Sequence, residues 1–166
     1  MRQRHFEDVE VGMELTPVTK GPMTSMHLMR WSSAIENWHR IHYDRPFATD
    51  HDGLPDVLVN GSWKQHVLAQ LIKDFAGPSG WPLNISFSYR GMDVRGATIT
   101  AYGEVSGRRE LARWGVVECT IGMRNENGDV TTTGTAHALL PRRDGPPVPY
   151  PLPPSLIEQA TDGAAA

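Results

Sequence analysis

Cysteine is almost missing from this chain of 166 residues. The single thiol, Cys119, excludes a disulfide within the chain and any cysteine-built zinc site. It sits in an alternating apolar run and reads as a small buried hydrophobe. Long apolar runs are missing as well, and no stretch approaches the roughly 20 residues a membrane helix needs. Nor is there the charged-then-apolar opening of a signal peptide, so the expectation is a cytoplasmic protein with no membrane partner. Positive charge is not in excess: 16 Lys and Arg stand against 19 Asp and Glu, a formal net charge of −3. No basic stripe is present, which argues against a nucleic-acid partner. No internal repeat is visible. The length suits one compact domain with a sizeable core.

What is present falls into two parts, a domain over residues 1–140 and a Pro-rich tail over 141–166. Leu15 and Val18, ahead of Gly21-Pro22, predict a short strand near 14–19. Thr24 is a candidate N-cap, and Leu28, Trp31, Ile35 and Trp38 recur at three- and four-residue steps, which predicts a helical face as far as 38. Residues 45–59 read as a loop rich in turn chemistry, with Asp50, His51 and Asp52 solvated. Asn60 and Gly61 then open the strongest helix, whose stripe is Trp63, Val67, Leu71 and Phe75 with Leu68 and Ile72 beside it. Gly77-Pro78 closes it after about 24 Å. Period-two alternation follows. Leu83, Ile85, Phe87 and Tyr89 share one face, then Ile99, Ala101, Gly103 and Val105 share another. A turn is expected at 107–110, a strand at 112–124, a hairpin at Asn127-Gly128 and a last strand at 130–140. Such short connections imply an antiparallel sheet and an α+β class. Pro146 to Pro154 reads as extended, Ser155 to Ala160 as about one helical turn and 162–166 as an unstructured end. The tail reads either as a loose end or as an arm across a neighbouring subunit.

Chemistry is concentrated between Trp31 and Asp44, where Asn37, His39, Arg40, His42 and Asp44 follow the end of the expected helix. Imidazole is the side chain best suited to move protons near neutral pH. The spacing of His39 and His42 invites a metal pair, but no cysteine lies nearby and the segment does not read as helical, so no metal is expected. Solvated loop histidines are the plain alternative.

The order of residues resembles the signature of the MaoC-like (R)-specific enoyl-CoA hydratases and dehydratases, Ser/Thr-Gly-Asp-x-Asn-Pro-Ile/Leu-His followed by Asp and Phe-Ala. His42 matches the signature histidine, Asp44 the later acid and Phe47-Ala48 the closing pair. Phe6 to Gly12 is similar to the usual opening of such domains, and Val59-Asn60-Gly61 to their Val-His-Gly. The resemblance spans about residues 5 to 140. Asn37 stands where the family has its catalytic Asp, His39 where it has Asn and Arg40 where it has Pro. The run from Asn37 to Asp44 looks closest to a subset that includes mesaconyl-type hydratases. The resemblance implies a hot-dog fold, a long central helix wrapped by a curved antiparallel sheet, which the element order also suggests. It implies a homodimer or higher oligomer, with a hetero-oligomer open. The substrate would be an acyl-CoA or acyl-carrier-protein thioester. No cofactor is expected, coenzyme A entering only as part of the substrate.

Adding water to an enoyl thioester needs a base for the water, an acid for the carbon next to the carbonyl and a donor for the thioester oxygen. Carried over from the family, His42 is the acid/base and the Gly61 N–H the oxyanion donor, with Ser62 N–H assisting and Asn60 beside it. An amide such as Asn37 can orient water but cannot take its proton. The favoured arrangement has His42 as base, Asn37 as orienter and His39 assisting; Glu36 is a further source of a titrating group. Arg40 reads either as a ligand for a carboxylate or phosphate or as a solvated charge. Asp44 reads as the group fixing an imidazole tautomer or as a turn cap. Arg90 and Arg95 are placed to meet an acidic coenzyme, and Trp38, Trp63 and Trp81 line either an acyl tunnel or the core. A hot-dog subunit that binds thioesters without turnover, or completes a partner's site, is the second reading. A thioesterase on the same fold is the third.

Overall fold

The structure, a computed structural model, describes residues 3–161. Its axis is a helix of 16 residues, α2 (Gly61–Ala76). Asn60 caps the helix through Oδ1, which accepts the Ser62 N–H at 2.9 Å. Gly77, at φ +73°, ends it in a conformation that few other residues tolerate. The face carrying Val67, Leu68, Leu71, Ile72 and Phe75 is buried. Each such side chain contributes roughly 1.5–3 kcal/mol by leaving water, and Leu71→Ala would cost about 2–5 kcal/mol.

Five antiparallel strands curl around α2 in the order β1-β3-β4-β5-β2. They are β1 (Val18–Lys20), β2 (Trp81–Tyr89), β3 (Ile99–Leu111), β4 (Trp114–Arg124) and β5 (Val130–Pro141). The inward residues interlock in register: Cys119 lies opposite Val105 on one side and Ala136 on the other. Together with the buried face of α2 they form one core. A second helix, α1 (Ser25–Ala34), precedes α2, and Thr24 caps it by accepting the His27 N–H. This is the α+β hot-dog arrangement the sequence implies.

Several boundaries differ from expectation for identifiable reasons. The first strand is only β1; Glu14 makes an isolated bridge to Glu104. Residues 107–110 are strand, because a register shift between Val105 and Gly107 leaves Ser106 as the extra residue of a bulge and pairing resumes at Gly107 with Glu118. The reversal falls at Ala112 and Arg113, where Ala112 takes φ +48°. A similar shift between Pro82 and Asn84 takes Leu83 out of the inward series and packs it with a second, outer cluster. Residues 47–51, expected as open loop, wind into a π-helical turn.

The outer cluster explains the tail. Val148, Leu152, Leu156 and Ala160 pack with Leu111, Val116, Leu139, Trp81 and Trp114. Trp114 Nε1–H donates to the Pro146 carbonyl at 3.2 Å, and Arg109 donates to the Ala160 carbonyl. The segment thus lies on this chain's own sheet and closes with helix α3 (Pro154–Thr161), longer than the single turn expected. The end expected to be unstructured, 162–166, lies outside the described residues. Among the described residues no helix is long and apolar enough to cross a membrane.

Candidate active site

The site begins where α1 stops. The helix ends at Ala34, four residues before the end its apolar spacing predicts. Glu36 adopts φ +54°, Glu36 N–H donates to the Ser33 carbonyl and Asn37 N–H to the Ser32 carbonyl at 2.9 Å. That pair of bonds is a Schellman motif, usually built on glycine, and it satisfies carbonyls the helix end leaves open. It turns the chain away from the helix axis and leaves Trp38 exposed. Asn37 is half-buried, and its Oδ1 accepts the His39 N–H at 3.1 Å. The His39 Nδ1 in turn accepts the Ile41 N–H at 3.4 Å and caps a 3-10 turn over Arg40–His42.

His42 is the buried member of this stretch, 7% exposed. Its Nδ1 lies 2.9 Å from the Leu58 carbonyl. A carbonyl only accepts, so the proton is on Nδ1 and Nε2 presents its lone pair. Burial pushes the imidazole pKa below its ordinary value; the Leu58 bond raises it and nearby His39 lowers it further. The ring is therefore a neutral base at pH 7.

The segment that holds the ring is fastened on two sides. Leu58 N–H donates to the Ile41 carbonyl at 2.8 Å. Val59 N–H donates to the Asp93 carbonyl at 2.8 Å, and Arg95 N–H to the Val57 carbonyl at 2.9 Å. The anchor at Leu58 lies three positions before Gly61, the first residue of α2. The Gly61 N–H has no acceptor among the described residues, as expected of the first helical amide at the positive end of a helix dipole. Ser62 N–H is committed to Asn60 Oδ1, and Ser62 Oγ also donates to that atom at 2.6 Å. The serine hydroxyl accepts from Trp31 Nε1 at 2.9 Å. Asn60 Nδ2 is buried without a partner among the described residues.

Other candidates are engaged elsewhere. Arg40 donates to Asp44 Oδ2 from Nε at 2.9 Å and Nη2 at 2.6 Å, and its guanidinium lies 4.4 Å from the Phe47 ring centroid. Asp44 also accepts the Phe47 N–H at 3.2 Å. The hydrogen bonds from Arg40 hold its carboxyl below the usual carboxylate range. Asp44 is thus a turn cap and an arginine partner, while the Leu58 carbonyl fixes the His42 tautomer. The His39 and His42 rings lie 6.3 Å apart, edge to face. Arg95 pairs with Asp56 at 2.8 Å, and Arg90 donates to Thr133 at 3.1 Å. Of the three tryptophans read as tunnel lining or core, Trp63 packs on the inner core and Trp81 on the outer cluster, while Trp38 is exposed.

Sequence reasoning missed a buried ion pair beneath this site. Lys64, 3% exposed, pairs with Asp93, also 3% exposed. Its ammonium donates to the Gly91 carbonyl and to Thr131 Oγ1, each at 3.2 Å, and Thr131 Oγ1 donates to Asp93 at 2.8 Å. The signal was readable on one side: Lys64 stands at the i position of the stripe Lys64, Leu68, Leu71, Phe75.

Comparison with known proteins adds the family context. The family model for hydroxyacyl-thioester dehydratase type 2 matches residues 7–96. The mesaconyl-C(4)-CoA hydratase of Chloroflexus aurantiacus is 41% identical over 46 residues, 28% of this chain but only 16% of that protein. Among solved structures, the (R)-hydratase of A. caviae involved in PHA biosynthesis superposes with a TM-score of 0.72 at 22% identity, over 81% of this chain and 99% of that one. The MaoC-like dehydratase of Rhodospirillum rubrum gives 0.74 at 15% identity, over 84% and 98%. A chain of the ChsH1-ChsH2 complex from Mycobacterium tuberculosis gives 0.69 at 22%, over 80% and 98%. At these identities the superpositions establish the shared fold.

Proposed function

Because the chain belongs to the hydroxyacyl-thioester dehydratase type 2 family, we propose that it adds water to, or removes it from, the 2,3-bond of an acyl thioester, enoyl-CoA to 3-hydroxyacyl-CoA. The observation that carries this reading is the tautomer of His42: a neutral, buried imidazole with Nε2 free, fastened three residues before the unpaired Gly61 N–H. In hydration, Nε2 takes a proton from water while the oxygen bonds to C3. Charge gathers on the thioester oxygen, which Gly61 N–H and the α2 dipole stabilise. The imidazolium then returns a proton to C2, and the ring is neutral again. Dehydration is the reverse. Asn37 Nδ2 orients the water, and the exposed His39 is the assisting group. A cavity of about 500 Å³ is lined by Met23, His27, Arg30, Trp31, Ala34 and Trp63; His42 and Gly61 are not part of its lining, and it adjoins the helix start through Trp31, whose Nε1–H bonds the Ser62 hydroxyl.

A homodimer or larger assembly suits the exposed edge strand β2. The second reading, a subunit that binds acyl thioesters or completes a partner's site, rests on Asn37, an amide where the resembled signature has a carboxylate. One assay separates the two. The purified chain is given crotonyl-CoA, alone and as His42→Ala. Turnover that falls by about 10²–10⁴ in the variant supports the hydratase. Turnover that His42→Ala leaves intact refutes it, and no turnover by the parent chain favours the binding subunit.

A further inference from the structure

Tyr89 closes β2 two residues beyond Phe87, at the rim of the core that Ile85 and Phe87 pack against, and is half exposed. The Phe87 ring meets it edge-on, with centroids 5.4 Å apart and planes at 67°. That contact aims the phenol at the start of α2. A Cβ built on Gly61 would fall 2.7 Å from Tyr89 Oη and 2.9 Å from its Cζ. The hydroxyl therefore lies within about 4 Å of the Gly61 Cα, one bond length further on. It has no hydrogen-bond partner among the described residues, and neither does the Gly61 N–H.

We infer that Tyr89 is a second hydrogen-bond donor to the thioester oxygen, acting beside the Gly61 N–H. The inference rests on the hydratase reading of this site. Ser62 N–H, the other amide of the helix start, is spent on the Asn60 cap. A single N–H leaves a developing oxyanion with lone pairs to spare, and a phenol at this position fills one of them. Partial desolvation raises the phenol pKa above its ordinary value, so the group keeps its proton through neutral pH. The same geometry accounts for glycine at position 61, since any side chain there would push the phenol away.

Tyr89→Phe keeps the ring and its contact with Phe87 and removes only the donor. In crotonyl-CoA hydration we expect kcat to fall by about 10²-fold with KM little changed, the size of losing one oxyanion donor. A packing role would lower the melting temperature without that split. A second readout does not need turnover: the infrared carbonyl band of bound, unreactive [1-13C]butyryl-CoA. Wild type should displace the band to lower frequency, and Tyr89→Phe should return it part of the way. An unchanged kcat overturns the inference, and so does a fall in kcat with an unmoved band, because the ring alone would then account for it. A wild type that hydrates crotonyl-CoA while Tyr89→Phe behaves identically defeats this inference and leaves the hydratase reading intact. A wild type that neither turns over nor shifts the band defeats both. A band that depends on Tyr89 in a chain without turnover keeps the donor role and assigns it to a binding subunit.

Discussion

Replacing Asp93 by alanine strands the Lys64 ammonium inside the protein with the Gly91 carbonyl, the Thr131 hydroxyl and the face of the Tyr89 ring, 5.9 Å away, as neighbours. Both members of the pair are 3% exposed, so water cannot take over. Removing one partner of a buried pair costs about 3–5 kcal/mol, because the remaining charge stays desolvated. For a domain of this size that lowers the melting temperature by roughly 10 °C. Urea unfolding followed by circular dichroism gives the free energy directly. Replacing Lys64, Asp93 and Thr131 together by Met, Leu and Val should recover all but about 1–2 kcal/mol, since the group need not be charged to pack. If Asp93→Ala unfolds within about 1 kcal/mol of the parent, the ammonium does not depend on that carboxylate and the reasoning fails.

Three shorter expectations accompany it. The acid limb of kcat/KM should lie below pH 6.5, because burial lowers the His42 pKa in the free protein; a limb above that value contradicts the neutral buried ring. The same shift acts on stability with a definite sign: above the ordinary histidine value both states are neutral and nothing changes, whereas below it the unfolded chain takes a proton that the folded one resists, so urea midpoints should fall with pH in wild type and less steeply in His42→Gln. Asn37→Asp supplies the carboxylate of the resembled signature and should raise kcat by about 10-fold in crotonyl-CoA hydration, whereas a fall would show the amide to be required. Cys119, 1% exposed with its thiol pKa pushed up to about 12, should resist iodoacetamide at pH 8 until the chain is unfolded, as read by mass spectrometry.

The parts of this fold that could be read in advance are those governed by one local period. The stripe of α2 and the alternation of β3 and β4 repeat often enough that neighbours agree. The errors sit where a single residue breaks the period. Glu36 in a left-handed conformation ends α1 early although the apolar spacing continues to Trp38, and glutamate gives no hint of that role. Gly107 reads as a turn but pairs with Glu118 just past a bulge at Ser106, a choice made by the pairing strand β4 rather than by local chemistry. In the site, His42 was legible from its motif, but its tautomer was not, because the Leu58 carbonyl is distant in sequence. The partnership of Lys64 with Asp93 was hidden for the same reason. Of the two readings of Asp44, tautomer lock or turn cap, the cap holds; an arginine four residues away, at helical spacing, is the stronger competitor for its other oxygen.

Leu58 joins Ile41 and His42 on one side, and its neighbours Val57 and Val59 join Arg95 and Asp93 on the other. The intervening chain from Arg45 to Asp56 therefore leaves and returns at clamped ends. A change of length at Gly53, whose φ of +67° already marks a bend, would fall between these clamps, which hold the imidazole through bonds of their own.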